Sequence, residues 1–331
     1  MHRRWQNLWI VFVLGIGIPA GMLTLLTRKS KSESKPHETT NVTQSIIQTE
    51  EQDVVVETRI EVNVLFDEGT VECVDLEEYI TGVVLAEMPV SFEVEALKAQ
   101  AVVARTYTLR RCKGNNKHAE AAVCTNPSCC QGYRSVQEYL DDGGSDSGVK
   151  KVRKAVNDTK RIVLVYNSEL IEATYFSCSG GMTEDAAAVW GTDVPYLKAT
   201  FSPGEEHADS FVDSIYIPAD EFRQLLGLEL SGSPDTWIGN ITYTAGMGVD
   251  TIQIGSTVYD GTQLRCLLGL RSTAFSITPV GDTIVITTKG YGHRVGMSQY
   301  GADAMAVNGC SYQQILAHYY QGTELTKYNH S

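Results

Sequence analysis

Residues 76–109 read "LEEYITGVVLAEMPVSFEVEALKAQAVVARTYTL", two helical runs on either side of a proline. No other stretch restricts the fold as strongly. The first run must end near Met88, because the residue before Pro89 is pushed out of the helical region. Ser91 can cap the second run, with Glu93 in its first turn, where the helix dipole favours an acid. Ala96, Ala99, Val103 and Tyr107 follow at spacings of three and four, a helical stripe. So many alanines imply close approach to neighbouring elements. The break also leaves one carboxylate, Glu87, with apolar neighbours on both sides.

Shorter β-rich runs surround this pair. "RIEVNVLFDEGTVECVD" gives two strands around the turn signal "DEGT", and "RIVLVYNSELIEATYFS" a hairpin turning at Asn167-Ser168. "VKKVRKAVNDT" and "YQQILAHYY", the latter behind Ser311, read as short helices, and "DTIVITTKG" as a strand. Residues 112–148, rich in Cys, Asn, Gly, Ser and Asp, read as an irregular excursion. "PADEFRQLLGL" and "TQLRCLLGL" are amphipathic segments around a strand pair. The class is α+β, with mixed helices and antiparallel strands forming a cleft. A core of residues 54–204 and 278–331 is interrupted by a smaller inserted domain at 205–277.

The N-terminus stands apart. "LWIVFVLGIGIPAGMLTLLT", residues 8–27, has no charge over 20 residues. As a helix it would be about 30 Å long, the thickness of a bilayer core. Arg3 and Arg4 precede it, and Arg28, Lys29 and Lys31 follow it, so charge counting alone does not set its orientation. The expectation is a single-pass anchor with residues 1–7 cytoplasmic and the bulk of the chain outside. A signal peptide ending near "IPA" is the rival, although the apolar stretch is long for that class. Residues 28–53, polar and poor in large apolar groups, read as a flexible linker. The net charge of −13 argues against tracking nucleic-acid phosphates and is compatible with a polysaccharide.

Three segments in order carry a resemblance: "AEMPVSFEVEALKAQAVVARTYTL", "YFSCSGGMTEDAAAVWG" at 175–191 and "GYGHRVGMSQYGADAMA" at 290–306. Together they resemble the stage II sporulation protein D family, whose relatives include amidase enhancers. The resemblance implies a membrane-anchored lytic transglycosylase. It would cleave the MurNAc–GlcNAc bond of stem-peptide-free peptidoglycan strands during spore engulfment. It also implies engulfment proteins as partners, including an amidase or endopeptidase and a membrane-anchoring partner. The implied location is the mother-cell membrane, with the catalytic domain facing the intermembrane space. The amidase-enhancer relatives imply an alternative, a non-catalytic glycan-binding module that stimulates an amidase. Two positions depart from the family pattern: Arg294 stands where the third motif carries glycine, and Cys178 where a hydroxyl residue is expected.

Glycosidic cleavage needs an acid to protonate the leaving oxygen, with its pKa raised by an apolar setting. Glu87 is the candidate. A hydrolase would add a second carboxylate to activate water or act as nucleophile. A lytic transglycosylase needs none, because the same group can take the proton of the sugar's 6-hydroxyl, which closes on the anomeric carbon as a 1,6-anhydro end. Glu87 can equally cap a helix or bridge to Arg105, which would lower its pKa. Gln100, Arg105 and Tyr107 are candidates for sugar binding, as are Ser177 and Ser179 beside their glycines. In the third motif His293, Ser298 and Gln299 are candidates for hydrogen bonds to N-acetyl sugars. A Ser–His nucleophilic pair is conceivable there, but no third orienting residue can be named.

Eight cysteines are unevenly spread, and four fall in "CKGNNKHAEAAVCTNPSCCQG". His118, Cys124, Cys129 and Cys130 have the donor types of a tetrahedral structural zinc, which would clip an otherwise irregular segment. Adjacent cysteines seldom both reach one metal comfortably. A disulfide such as Cys112–Cys124 is the alternative in an oxidising exterior. The resemblance supports metal, since clostridial members of the family carry it in this loop. No cofactor is required for the chemistry itself.

Overall fold

The computed structural model describes residues 59–66, 69–114 and 117–329. The expected anchor at 8–27 and linker at 28–53 lie outside them. Among the described residues no helix is long and apolar enough to cross a membrane.

The chain enters as an antiparallel pair, β1 (Glu61–Leu65) and β2 (Val71–Asp75). Asp75 caps α1 (Leu76–Glu87), accepting from the amides of Glu77 and Glu78. The helix stops at Met88, whose extended backbone obeys Pro89. The second helix, α2 (Val94–Cys112), does not begin on a Ser91 cap. Its N-cap is Glu93, which makes no side-chain cap; the Glu93 amide instead donates to Asp303 Oδ1 at 2.7 Å. Ala96, Ala99, Ala101 and Ala104 have no exposed surface, so α2 is the buried centre of the core.

The excursion after α2 is less irregular than its composition suggests. β3 (Val123–Cys124) pairs in parallel with β1, and α3 (Val136–Asp141) starts on a Ser135/Glu138 capping box. α4 (Asp146–Asp158) follows, then β4 (Ile162–Tyr166) and β5 (Glu169–Leu170). Asn167 and Ser168 both have positive φ, 50° and 65°, as a tight two-residue hairpin requires. β6 (Tyr175–Phe176) and α5 (Ala186–Trp190) complete this part.

A second apolar core then forms around Phe222, Trp237, Ile252, Leu264 and Ile286. It comprises β7 (Val212–Pro218), α6 (Ala219–Leu226), β8 (Ile238–Tyr243), β9 (Val249–Ile254), β10 (Thr257–Asp260), α7 (Gly261–Leu268), β11 (Phe275–Val280) and β12 (Thr283–Lys289). β12 pairs with both β7 and β11, so the boundary expected at 277 falls inside β11 and this lobe runs on to β12.

The chain returns to the first core through β13 (Met297–Ser298), α8 (Gln299–Val307), α9 (Tyr312–Tyr319) and β14 (Glu324–Lys327), which pairs with β4. β13 pairs in parallel with β6, setting Met297 opposite Tyr175 and Ser298 opposite Phe176. The second and third motifs thereby become one surface. A Cβ on Gly296 (φ 87°) would stand 2.1 Å from the Thr174 carbonyl oxygen, so only glycine permits this approach.

Candidate functional site

The end of α1, the strap after β3, and the β6–β13 pair enclose a cavity of about 630 Å³. Its volume is in the range of sites that take small ligands or one segment of a polymer. Glu87 lines it, half-buried, with Oε1 accepting the Gly132 amide at 2.5 Å. Tyr175, Phe176, Ser177 and His293 line it too; Trp190 and Tyr291, 45% and 51% exposed, form part of its lining.

Gly132 reaches Glu87 because its strap is laid along α1. The Arg134 amide donates to the Gly82 carbonyl at 3.1 Å, and the Tyr133 ring stacks on Tyr79 with centroids 5.6 Å apart. Gln131 donates to Thr108 Oγ1 at 3.0 Å. A Cβ on Gly82 would meet Tyr133 Cε2 at 2.3 Å, so the bare helix face there is what lets the strap lie down.

Tyr175 is a residue that sequence reasoning missed. Its hydroxyl is buried without a hydrogen bond of ordinary geometry. Burial first, and then the Glu87 charge, push its pKa well above the usual phenol value. It therefore stays a neutral O–H beside the carboxylate. Its place two residues before Ser177 in a β-run was the available signal.

The candidates divide. Tyr107, Ser177, His293 and Gln299 line the cavity with Glu87. Gln299 is 6% exposed, and its Nε2 has no protein partner among the described residues. His293 accepts the Val295 amide at Nδ1 (3.1 Å) and packs on Phe176 and Trp190. Burial, aided by the Arg265 charge, lowers its pKa to about 4, so near neutrality it is an uncharged imidazole.

Gln100, Arg105, Ser179 and Ser298 do not line the cavity. Gln100 is wholly buried in α2, and neither polar atom of its side chain has a partner among the described residues. Arg105 is wholly buried and forks onto Glu77, not Glu87, with Nη2 to Oε2 at 2.6 Å and Nε to Oε1 at 3.0 Å. It also donates to the Ile162 and Val156 carbonyls, which makes it a cross-brace of the core. Ser298 caps α8, its Oγ accepting from Gly301 and donating to the Ser177 carbonyl, so that hydroxyl already has partners.

Ser179 belongs to a cradle around Glu205, which has no exposed surface. Glu205 Oε2 accepts from the Ser179 amide (2.9 Å), Ser179 Oγ (2.7 Å) and the Gly180 amide (2.9 Å). Cys178 adds its thiol at 3.4 Å, acting as the donor a hydroxyl would have been. Arg294 has an equally definite place. Its φ is 64°, a conformation glycine adopts without strain. The guanidinium donates to the carbonyls of Ser179 (2.9 Å), Met182 (2.8 Å) and Gly246, and stands 3.9 Å from the buried Glu184 carboxylate. Those buried contacts hold the arginine where backbone preference favours glycine.

The strap also gathers donor atoms. One ligand atom from each of His118, Cys124, Cys129 and Cys130 lies within 4.8 Å of the others. His118 Nε2 is 3.7 Å from Cys129 Sγ and 3.5 Å from Cys130 Sγ, and the two sulfurs are 3.9 Å apart. A tetrahedral zinc, with bonds of about 2.3 Å to sulfur and about 2.0–2.1 Å to nitrogen, sets pairs about 3.8 and 3.5 Å apart. The adjacent cysteines converge because both their amides donate to the Asn126 carbonyl, a turn tight enough to bring the sulfurs together. The donor set fits zinc. All eight cysteines are free, Cys112 and Cys124 included. Cys129 and Cys130 also line the cavity, three and two residues from Gly132.

Residues 67–166 match the family model described as stage II sporulation protein. The chain is 42% identical over 263 residues to stage II sporulation protein D of Bacillus amyloliquefaciens, covering 78% of this chain and 76% of that one. Against the protein of the same name from Bacillus subtilis (strain 168), identity is 40% with the same coverage. An amidase enhancer of Bacillus subtilis is 30% identical over 303 residues, 75% of this chain and 40% of that longer protein.

Proposed function

The chain belongs to the stage II sporulation protein D family, and from that premise we propose that it is a lytic transglycosylase of peptidoglycan with Glu87 as its acid and base. One observation carries the reading. Among the described residues two carboxylates line the cavity, and one of them, Glu172, is held by Arg110 and Arg111. That leaves Glu87, among the described residues, without the second working carboxylate that most glycoside hydrolases use.

In the proposed reaction protonated Glu87 gives its proton to the glycosidic oxygen as the bond from that oxygen to the muramic acid C1 breaks. The carboxylate then faces an oxocarbenium-like C1. It takes the proton of the same sugar's 6-hydroxyl while that oxygen bonds to C1, giving a 1,6-anhydroMurNAc end and restoring the acid. The Gly132 amide fixes the carboxyl group's orientation, and Tyr175 offers a neutral O–H beside it. Trp190 and Tyr291 present ring surface to a pyranose, and Gln299 offers an amide to an acetamido carbonyl.

His118, Cys124, Cys129 and Cys130 would hold a zinc ion that fixes the strap and supplies no chemical step. Denuded glycan strands are the proposed substrate, and spore engulfment the setting. An amidase or endopeptidase and a membrane-anchoring partner would work beside it, with the enzyme anchored in the mother-cell membrane and facing the intermembrane space. The amidase-enhancer relative supports a second reading, a glycan-binding module that stimulates an amidase without cleaving. Mass spectrometry of purified strands incubated with the full-length chain separates them. Anhydro ends that vanish with Glu87→Gln support the first. Binding without new ends, plus stimulation of an amidase, supports the second and overturns the first.

A further inference from the structure

We infer that Lys117 reads the lactyl carboxylate of muramic acid and so makes the cavity selective for strands in which that carboxylate is free. The inference rests on the glycan-cleaving reading above. Among the described residues four charged side chains line the cavity: Glu87, Arg111, Lys117 and Glu172. Arg111 is committed to Glu172 and also covers the Tyr107 ring, 4.6 Å from its centroid. Lys117 differs. It is exposed, its Nζ donates to the Cys129 carbonyl, and among the described residues no carboxylate pairs with it. An ammonium carries three donors, so two remain for a ligand.

The position of this charge is set by the strap. Lys117 precedes His118 in the chain and is tied at its other end to the Cys129 backbone. It is therefore held at both ends by the segment that delivers Gly132 to Glu87.

The chemistry of the substrate supplies the matching group. Both sugars of a glycan strand are neutral except for the 3-O-lactyl group of muramic acid. When a stem peptide is attached, that carboxyl is an amide without charge. When the peptide has been removed, it is a carboxylate on the ring that must be placed over Glu87. An ammonium on the cavity wall therefore tells muramic acid from N-acetylglucosamine, and a bare strand from a peptide-bearing one. A hydrogen bond to a charged group separates the two by roughly 10- to 100-fold. The competing role for Lys117 is to offset the negative charge that the Cys/His cluster would carry with zinc bound, and it predicts no such distinction.

The test uses the full-length chain, purified in a non-ionic detergent, and two preparations of denuded strands. One is unmodified, and the other has its lactyl carboxylates converted to neutral methylamides. Turnover is measured with the native chain, and binding with Glu87→Gln, each with Lys117 intact, as Lys117→Met and as Lys117→Arg. The expected result is at least about a tenfold preference for unmodified strands in kcat/KM and in affinity. Lys117→Met should level the two strands, Lys117→Arg should keep the preference, and added salt should erode it. Equal handling of both strands by the native chain overturns the inference. So does a preference that survives Lys117→Met, or a loss in Lys117→Met that is the same on both strands. Turnover absent on both strands with the binding preference intact overturns the transglycosylase reading alone, and absence of binding overturns both.

Discussion

The Gly132 amide donates to Glu87 Oε1 at 2.5 Å, joining the acid at the end of α1 to a strap whose neighbouring residues are the donors of the Cys/His cluster. The acid and the cluster are parts of one construction. Disturbing the strap should disturb the acid without touching it. Gly82→Ala is the sharpest probe, because its Cβ would stand 2.3 Å from Tyr133 Cε2. The ring must leave the α1 face and take Gly132 with it. The expected cost is about 1–3 kcal/mol of stability, with a fall in kcat much larger than any change in KM. Denaturant unfolding alongside steady-state turnover measures both, and unchanged kcat would refute the coupling.

Removing the proposed zinc should act through the same strap. Stripping the purified chain with a chelator, or changing Cys130 to Ser, should lower the melting temperature by roughly 5–10 °C, since about 1 kcal/mol moves Tm by about 2–4 °C at this size. Activity should fall with the loss of folded strap and return with zinc. Loss of turnover at unchanged melting temperature and unchanged strap protection in hydrogen exchange would instead make the metal a participant in the chemistry.

Glu87→Gln and Glu87→Ala should part company in structure and agree in chemistry. The glutamine keeps an oxygen for the Gly132 amide, and the alanine leaves that amide without its acceptor at a cost of about 1–3 kcal/mol. Both should abolish anhydro products. Residual turnover in either variant would move the acid elsewhere.

What could be read from the sequence was local. The break at Pro89, the hairpin at Asn167-Ser168 and the helix behind Ser311 depend on residues within a few positions of one another, and the structure has all three. The Ser91 cap failed because a residue far along the chain, Asp303, takes the amide that the serine would have served nearby. Arg105 and Ser179 illustrate the harder limit. A polar side chain in a motif looks the same in sequence whether it faces a ligand or closes a buried network. Only the fold shows that Glu77 and Glu205 claim these two. Tyr175 was passed over for the converse reason, since an aromatic residue in a short strand reads as core.

Arg294 and Glu184, each 1% exposed, should behave as a buried pair. Arg294→Met leaves Glu184 with its donors from Thr244 and Gly246 but without a cation, and should cost about 3–5 kcal/mol. Arg294→Gly relieves the left-handed backbone and should recover only a small part of that loss. If the glycine variant equals the native chain, the arginine contributes no net stability there. The double variant Arg294→Met/Glu184→Gln should be more stable than the sum of its singles predicts, as urea unfolding of all four proteins would show.

His293 gives the chain a pH dependence whose sign follows from its environment. Burial lowers its pKa to about 4, below the ordinary value near 6.5. Between those values the unfolded chain binds the proton and the folded chain does not, so stability rises with pH across that window. The contribution is complete above about pH 6.5 and is lost as the pH falls towards 4. It amounts to about 2–3 kcal/mol at most, since the ring is partly exposed on its cavity side. His293→Phe should keep the packing on Phe176 and Trp190 and flatten this part of the stability profile. Urea midpoints of the native chain and the variant, taken from pH 4 to 7.5, measure the difference. Parallel profiles would show that the imidazole takes up its proton over the same pH range in the folded and unfolded chains, and that the cavity is wetter than its packing implies.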